Sequence, residues 1–195
     1  MKLFALIITN IIFKIFFRVE LVNIQKVPEK GPALFCANHN SLIDMFFLGY
    51  KLKMWIYWMA KDDLFKNPVL AFLLKKLGAF PVKRGTGDVG SVKSAYKLLE
   101  EGKVVGIFPQ GTRIKPGKSD KFRVKPGAAM FAVNAGVPII PAVIQGNYKL
   151  FGKIKVIYGD PFFLEADKDK KYTNTELTEM SREIIERVYS LSEGN

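Results

Sequence analysis

The sequence predicts a single α/β domain: a mixed, largely parallel sheet flanked by helices, preceded by an amphipathic N-terminal helix. Three observations predict it. Short runs rich in Val, Ile and aromatics alternate with longer runs of helical period, as in strand–helix–strand units. The chain has 195 residues, 49% of them hydrophobic, enough for one domain with a substantial core. No internal repeat, low-complexity tract or linker interrupts the alternation. The predicted division is therefore a leading helix over 1–18 and one domain over 19–195.

The first element is MKLFALIITNIIFKIFFR. Its uninterrupted apolar run extends only from Leu3 to Ile8, and Thr9, Asn10 and Lys14 break up the rest, too short and polar for a membrane span. A secretory signal fits poorly, because no small-residue cleavage site precedes RVELVNIQKV. Wound as a helix, Phe4, Ile8, Ile11 and Ile15 share one face, with Ala5, Ile12 and Phe16 beside them, while Thr9, Asn10, Lys14 and Arg18 occupy the other half. Such a helix suits a membrane interface, its cations reaching toward headgroups. The alternative is a helix that packs only onto its own domain.

Strands are predicted over 19–25, 33–37, 55–59, 104–108, 139–144 and 155–158, and helices over 42–50, 68–77, 89–100, 126–135 and 175–191. The fourth of these helices runs into Gly136, Val137 and Pro138, a stop signal. In the last, Leu177, Met180, Ile184, Val188 and Leu191 repeat at helical spacing, with Thr173 and Glu176 placed for a capping box.

Net charge is +12, unevenly spread. Residues 1–159 carry 25 Lys and Arg against 9 Asp and Glu, and residues 160–195 carry 5 against 9. So basic a body suits nucleic acid or an anionic membrane surface, and the apolar N-terminal half-face favours the membrane. Cys36 is the only cysteine, so no internal disulfide is possible, and a cytoplasmic setting is the simpler expectation. One His and one Cys do not make a zinc site of the usual type.

In α/β sheets, sites form beyond the carboxyl ends of strands. Three loops qualify. His39, the only histidine, directly follows strand 33–37 and precedes Asp44 by five residues. A carboxylate on one ring nitrogen would fix the tautomer and stabilise the imidazolium. The two meet only if the chain turns between them, with Ser41 a plausible N-cap for the following helix. Taken alone, this pair suits a structural histidine as well; the polar neighbours Asn38, Asn40 and Ser41 favour a site. The second loop, Phe108-Pro109-Gln110-Gly111-Thr112-Arg113, offers a tight turn and an arginine fork, suited to clamping phosphate or carboxylate, though a plain surface turn would read similarly. The third, 78–85, lies between two predicted helices and carries Lys83 and Arg84 near its end. From Arg113 to Lys125 six cations stand against Asp120 alone, a loop that would attract a phosphorylated substrate.

These residues together resemble the 1-acyl-sn-glycerol-3-phosphate (lysophosphatidate) acyltransferases. His39-x-x-x-x-Asp44 matches the family's H-x-x-x-x-D signature. Phe80-Pro81-Val82-Lys83-Arg84 looks like its second block, Phe108 to Arg113 like its F-P-E-G-T-R block, and Val137-Pro138-Ile139-Ile140-Pro141 like its apolar fourth. The four stand in the family's order across residues 19–158. One departure is Gln110, where the family has glutamate.

The resemblance implies a glycerol-3-phosphate acyltransferase-like fold and direct transfer of a fatty acyl group from acyl-CoA or acyl-carrier protein to a glycerol hydroxyl. It implies His39 as base, Asp44 as its orienting partner, and Lys83, Arg84, Gln110, Gly111, Thr112 and Arg113 on the substrate side. It implies no metal or redox cofactor, and a peripheral or monotopic enzyme on the cytoplasmic side of an anionic membrane, with no nucleic-acid partner. Three rivals remain: another lysolipid acceptor such as a lyso-ornithine lipid, a covalent acyl-Cys36 intermediate, and a non-enzymatic basic membrane-binding module.

Overall fold

The computed structural model describes residues 2–83, 88–114, 122–167 and 169–193, without the side chains of 2–6 and 8. Its elements are α1 (Lys2–Phe16), β1 (Arg18–Val22), β2 (Ala33–Ala37), α2 (Asp44–Leu48), β3 (Ile56–Lys61), α3 (Pro68–Lys76), β4 (Phe80–Val82), α4 (Val89–Glu100), β5 (Val104–Ile107), α5 (Gly127–Ala135), β6 (Ile139–Gly146), β7 (Lys153–Tyr158) and α6 (Asn174–Ser190). The seven strands form one sheet in the order β1-β7-β6-β2-β5-β3-β4. Every pairing is parallel except β6 with β7. The mixed, largely parallel sheet expected from the sequence is therefore present.

All five residues of the central strand β2 are buried, because helices cover both faces of the sheet. On one face Phe35, Ala37, Ile56 and Trp58 pack against Phe13 of α1 and Phe47 of α2. On the other, Leu34, Cys36 and Val105 pack against Leu99 of α4, Phe131 of α5 and Ile184 of α6. Helix α3 joins the first layer: its Leu74 packs on Ala60, which alternates along β3 with Ile56 and Trp58.

Several sequence expectations change. The strand expected over 19–25 stops at Val22, because Asn23 adopts a left-handed conformation (φ 59°) and opens a 3-10 turn over Ile24–Lys26. Strand β4 was not expected. It is three residues long, contains Pro81 and lies at the sheet edge, where a missing N–H is tolerated. The helix expected over 42–50 contracts to five residues. The capping box of Thr173 and Glu176 is present at the start of α6.

Helix α1 sits on the domain through Phe13 and Asn10. Phe13 is buried and stacks on Phe47 at 4.1 Å between centroids, and Tyr50 donates from its hydroxyl to Asn10 at 2.9 Å. Ile7, Ile11, Ile12, Ile15 and Phe16 are left exposed. Asn10, placed by pattern on the polar half, thus faces protein. Among the described residues, no helix is long and apolar enough to cross a membrane.

Because β2, β3, β4, β5 and β6 run parallel, their carboxyl ends lie along one edge of the sheet. That edge carries His39, Lys83, the turn from Pro109 to Arg113, and the hairpin between β6 and β7.

Candidate active site

His39 leaves the end of β2 and Asp44 opens α2, and the turn between them brings the two side chains together. His39 Nδ1 lies 2.9 Å from Asp44 Oδ2. Ser41 is not the cap foreseen from the sequence; Ile43 occupies the N-cap position and makes no side-chain cap bond. The turn is wound around Asp44 itself. The backbone N–H groups of Asn40 and Ser41 donate to Oδ2 at 2.6 and 2.8 Å, and the Tyr148 hydroxyl donates to Oδ1 at 2.6 Å. Asp44 is wholly buried and His39 is 8% exposed. With three other donors already on its two oxygens, Asp44 faces His39 as an acceptor, which selects the tautomer that carries its proton on Nδ1 and leaves Nε2 as the basic nitrogen.

The ring is fixed on its face as well as its edge. His39 stacks on Phe108 (3.9 Å, 11°), and Phe108 stacks on Trp58 (4.8 Å, 16°). Gly106 makes room for this pile: a Cβ there would lie 2.5 Å from Trp58 Cε3 and 2.6 Å from Ile56 Cγ2. The main chain before His39 is pinned by Asn38, whose amide exchanges two hydrogen bonds with the backbone of Ile144 on β6 (2.9 and 2.8 Å).

The adjacent β5 loop completes the site. Ile114 N–H donates to the His39 carbonyl at 2.8 Å, which sets Thr112 and Arg113, both exposed, beside the dyad. Gly111 turns the loop at φ 67°, and its Cα side abuts the stem of Lys125. Gln110, which the resemblance put on the substrate side, is engaged within the protein. It is buried; its Oε1 accepts from the His39 backbone N–H at 3.0 Å, and its Nε2 donates to the Tyr189 hydroxyl of α6 at 2.9 Å. Lys83 is exposed at the end of β4, three strands from β2, or roughly 14 Å at the usual strand spacing. Arg84 lies outside the described residues, as do Lys115, Lys118 and Lys121 of the cationic loop.

Behind the ring stack is an apolar cavity of about 210 Å³ between α1, α2, α3 and β3. Met45, Phe46, Trp58, Leu74 and Leu77 are among its walls, so Trp58 separates it from Phe108 and His39. Cys36 is fully buried in mid-strand, and burial pushes its thiol well above the ordinary range. A nucleophilic thiolate is disfavoured there. Among the described residues no cluster of His, Cys, Asp or Glu is arranged to hold a metal ion.

Tyr148, Asn38, Trp58, Phe108 and Tyr189 are the residues that sequence reasoning did not assign to the site. Phe108 was within a quoted block. Tyr148, 104 positions from Asp44, and Tyr189, 79 from Gln110, reach the site only through the folded topology.

A histidine held by a buried carboxylate at the strand ends of an α/β domain, beside a turn with an arginine, has the geometry of a general base next to an anion-binding group. Comparison with known proteins narrows the class. A family model described as Acyltransferase matches residues 18–145. The 1-acyl-sn-glycerol-3-phosphate acyltransferase of Bacillus subtilis (strain 168) is 34% identical over 179 residues, covering 89% of this chain and 87% of that protein. That of Pseudomonas aeruginosa is 30% identical over 175 residues, covering 84% of this chain and 66% of that protein. A chloroplastic 1-acyl-sn-glycerol-3-phosphate acyltransferase of Arabidopsis thaliana is 28% identical over 159 residues; the match covers 75% of this chain but only 44% of that longer protein. The crystal structure of the 1-acyl-sn-glycerophosphate acyltransferase of Thermotoga maritima superposes with a TM-score of 0.67 at 22% identity, over 98% of this chain and 80% of that one, and so shares the fold. The chain belongs to the acyltransferase family, and it is an enzyme of acyl transfer to oxygen.

Proposed function

We propose that the enzyme transfers a fatty acyl group from a thioester, acyl-CoA or acyl-carrier protein, to the sn-2 hydroxyl of 1-acyl-sn-glycerol-3-phosphate, giving phosphatidic acid. The observation that carries this is the 2.9 Å contact between His39 Nδ1 and a wholly buried Asp44. The names of the Bacillus and Pseudomonas relatives support the acceptor. In this reading His39 Nε2 takes the hydroxyl proton as the oxygen attacks the thioester carbonyl. The tetrahedral intermediate then collapses with cleavage of the C–S bond, and the imidazolium returns its proton to the departing thiolate. Asp44 stabilises that imidazolium. Arg113 holds the phosphate, since its loop hydrogen-bonds to the His39 main chain and glycerol phosphate is a small unit. Lys83, three strands away, serves the outer part of the substrate path. The transfer is direct, with no acyl-Cys36 intermediate and no metal or redox cofactor.

The same reading puts the enzyme at an anionic membrane surface on its cytoplasmic side, as a peripheral or monotopic protein. The exposed isoleucine face of α1 supports this, together with Val69, Leu70, Phe72 and Leu73 exposed on α3 in the same layer. The apolar cavity under that layer offers room for part of an acyl chain. The test is incubation of the purified enzyme with a panel of lysolipids and labelled acyl thioester, followed by product identification. Phosphatidic acid as the main product supports the assignment. A different acylated lysolipid, such as an ornithine lipid, would replace the acceptor.

A further inference from the structure

The hairpin between β6 and β7 carries two large apolar side chains at its tip, Leu150 (62% exposed) and Phe151 (59% exposed). Phe151 adopts a left-handed conformation, φ 61°, which bulky L-residues rarely take. The fold holds it there: Phe151 N–H donates to the Phe16 carbonyl at the end of α1 (2.7 Å), and Gly152 N–H closes the turn on Lys149 (2.8 Å). A soluble hairpin tip normally carries Gly, Asn or Asp at such a position. Here an awkward backbone presents a phenyl ring to the outside.

The tip continues the apolar face of α1, whose last residue, Phe16, is itself exposed. Exposed cations border the junction: Lys14 and Arg18 from the α1 side and Lys149 from the hairpin. Apolar tips ringed by cations match the interface of an anionic bilayer, where the ring enters the acyl boundary and the cations meet headgroups. The hairpin is also wired to the dyad, because Tyr148, two residues before Leu150, donates its hydroxyl to Asp44.

We infer that the Leu150–Phe151 tip is a bilayer-inserting element at the active-site end of the molecule, seating the dyad against the lipid surface. The inference rests on the acyl-transfer reading for its purpose, but vesicle binding tests it separately. The probe is a pair of vesicles, phosphatidylcholine with and without phosphatidylglycerol, and the protein is the full chain carrying Leu150→Ser with Phe151→Gly. Glycine relieves the left-handed backbone, so the melting temperature should hold or rise. Binding to the anionic vesicles should fall at least about tenfold, the scale for losing buried apolar side chains. Turnover of vesicle-borne lysophosphatidate should fall with it, while turnover of a monomeric short-chain lysophosphatidate stays within about twofold.

Unchanged vesicle binding would overturn the inference and leave the acyl-transfer reading intact. Equal loss on vesicle-borne and monomeric substrate would also overturn it, since the tip would then act only as part of the site. So would a dimer of the wild-type chain that becomes monomeric in the variant, because a second copy would be what covers the tip. If the wild type acylates no lysophosphatidate, the functional reading fails, and the vesicle assay alone still decides the tip.

Discussion

Asp44→Asn isolates the charge of the dyad from its geometry. Oδ2 collects three donors, His39 Nδ1–H and the backbone N–H groups of Asn40 and Ser41, whereas Oδ1, among the described residues, meets the Tyr148 hydroxyl. An asparagine amide has one orientation that fits. Its oxygen takes the three-donor side and its NH₂ points at Tyr148, whose hydroxyl oxygen can accept. The two backbone N–H groups therefore keep the histidine tautomer specified, and the turn survives. What disappears is the negative charge. Exchanging a charged for a neutral hydrogen bond loses about 1–2 kcal/mol. Loss of the Coulombic attraction for an imidazolium roughly 4 Å away raises the upper limit to about 4 kcal/mol at an effective dielectric constant of about 20. At 1.36 kcal/mol per decade, a loss of about 1–4 kcal/mol is a fall in turnover of roughly fivefold to a thousandfold. The assay is steady-state acyl transfer with both Michaelis constants measured, alongside circular dichroism and melting. Turnover within about threefold of wild type would refute the role of the charge. An unfolded variant would refute the argument that the turn tolerates the amide.

Further perturbations address the rest of the site. Arg113→Ala should raise the Michaelis constant for the phosphorylated acceptor roughly thirtyfold to a hundredfold, the equivalent of about 2–3 kcal/mol, with Arg113→Lys intermediate and the acyl donor little affected; a defect confined to the donor would move Arg113 to the thioester site. Gly106→Ala should destabilise by about 1–3 kcal/mol, because the added methyl overlaps Trp58 and Ile56. It should also lower turnover by displacing the ring stack under His39, and thermal melting with kinetics checks both. Cys36→Ser should keep most of its transfer activity, and native Cys36 should resist a thiol reagent until the protein is unfolded; a complete loss of transfer in a folded Cys36→Ser protein would restore the covalent route.

Legibility in the sequence followed locality. Strand β2 and helix α4 are where the pattern put them, because a continuous apolar run and a capped amphipathic repeat are signals contained in a few neighbouring residues. Strand β4 was invisible: three residues with a proline at their centre carry no period, and only pairing with β3 defines them. The dyad was legible because its members are five residues apart. Its supports were not, since the Asn38 clamp on Ile144 and the Tyr148 bond to Asp44 span 106 and 104 positions. Gln110 looked like a substrate ligand from its place in a motif, and the folded chain turns it inward to the His39 main chain and Tyr189. A helix stands at the N-terminus where the pattern put one, but its docking through Asn10 and Phe13 depends on Tyr50 and Phe47, which no local pattern points to.

The role of His39 as the base is measured most directly by the turnover of lysophosphatidate by His39→Ala, with the fold monitored in the same preparation. Removing a positioned base lowers turnover by roughly a hundredfold or more, and here circular dichroism should stay close to wild type, because the His39 main chain keeps its bonds to Gln110 and Ile114 without the ring. A folded His39→Ala enzyme that makes phosphatidic acid at a near-normal rate would contradict the assignment, whatever the dyad's geometry.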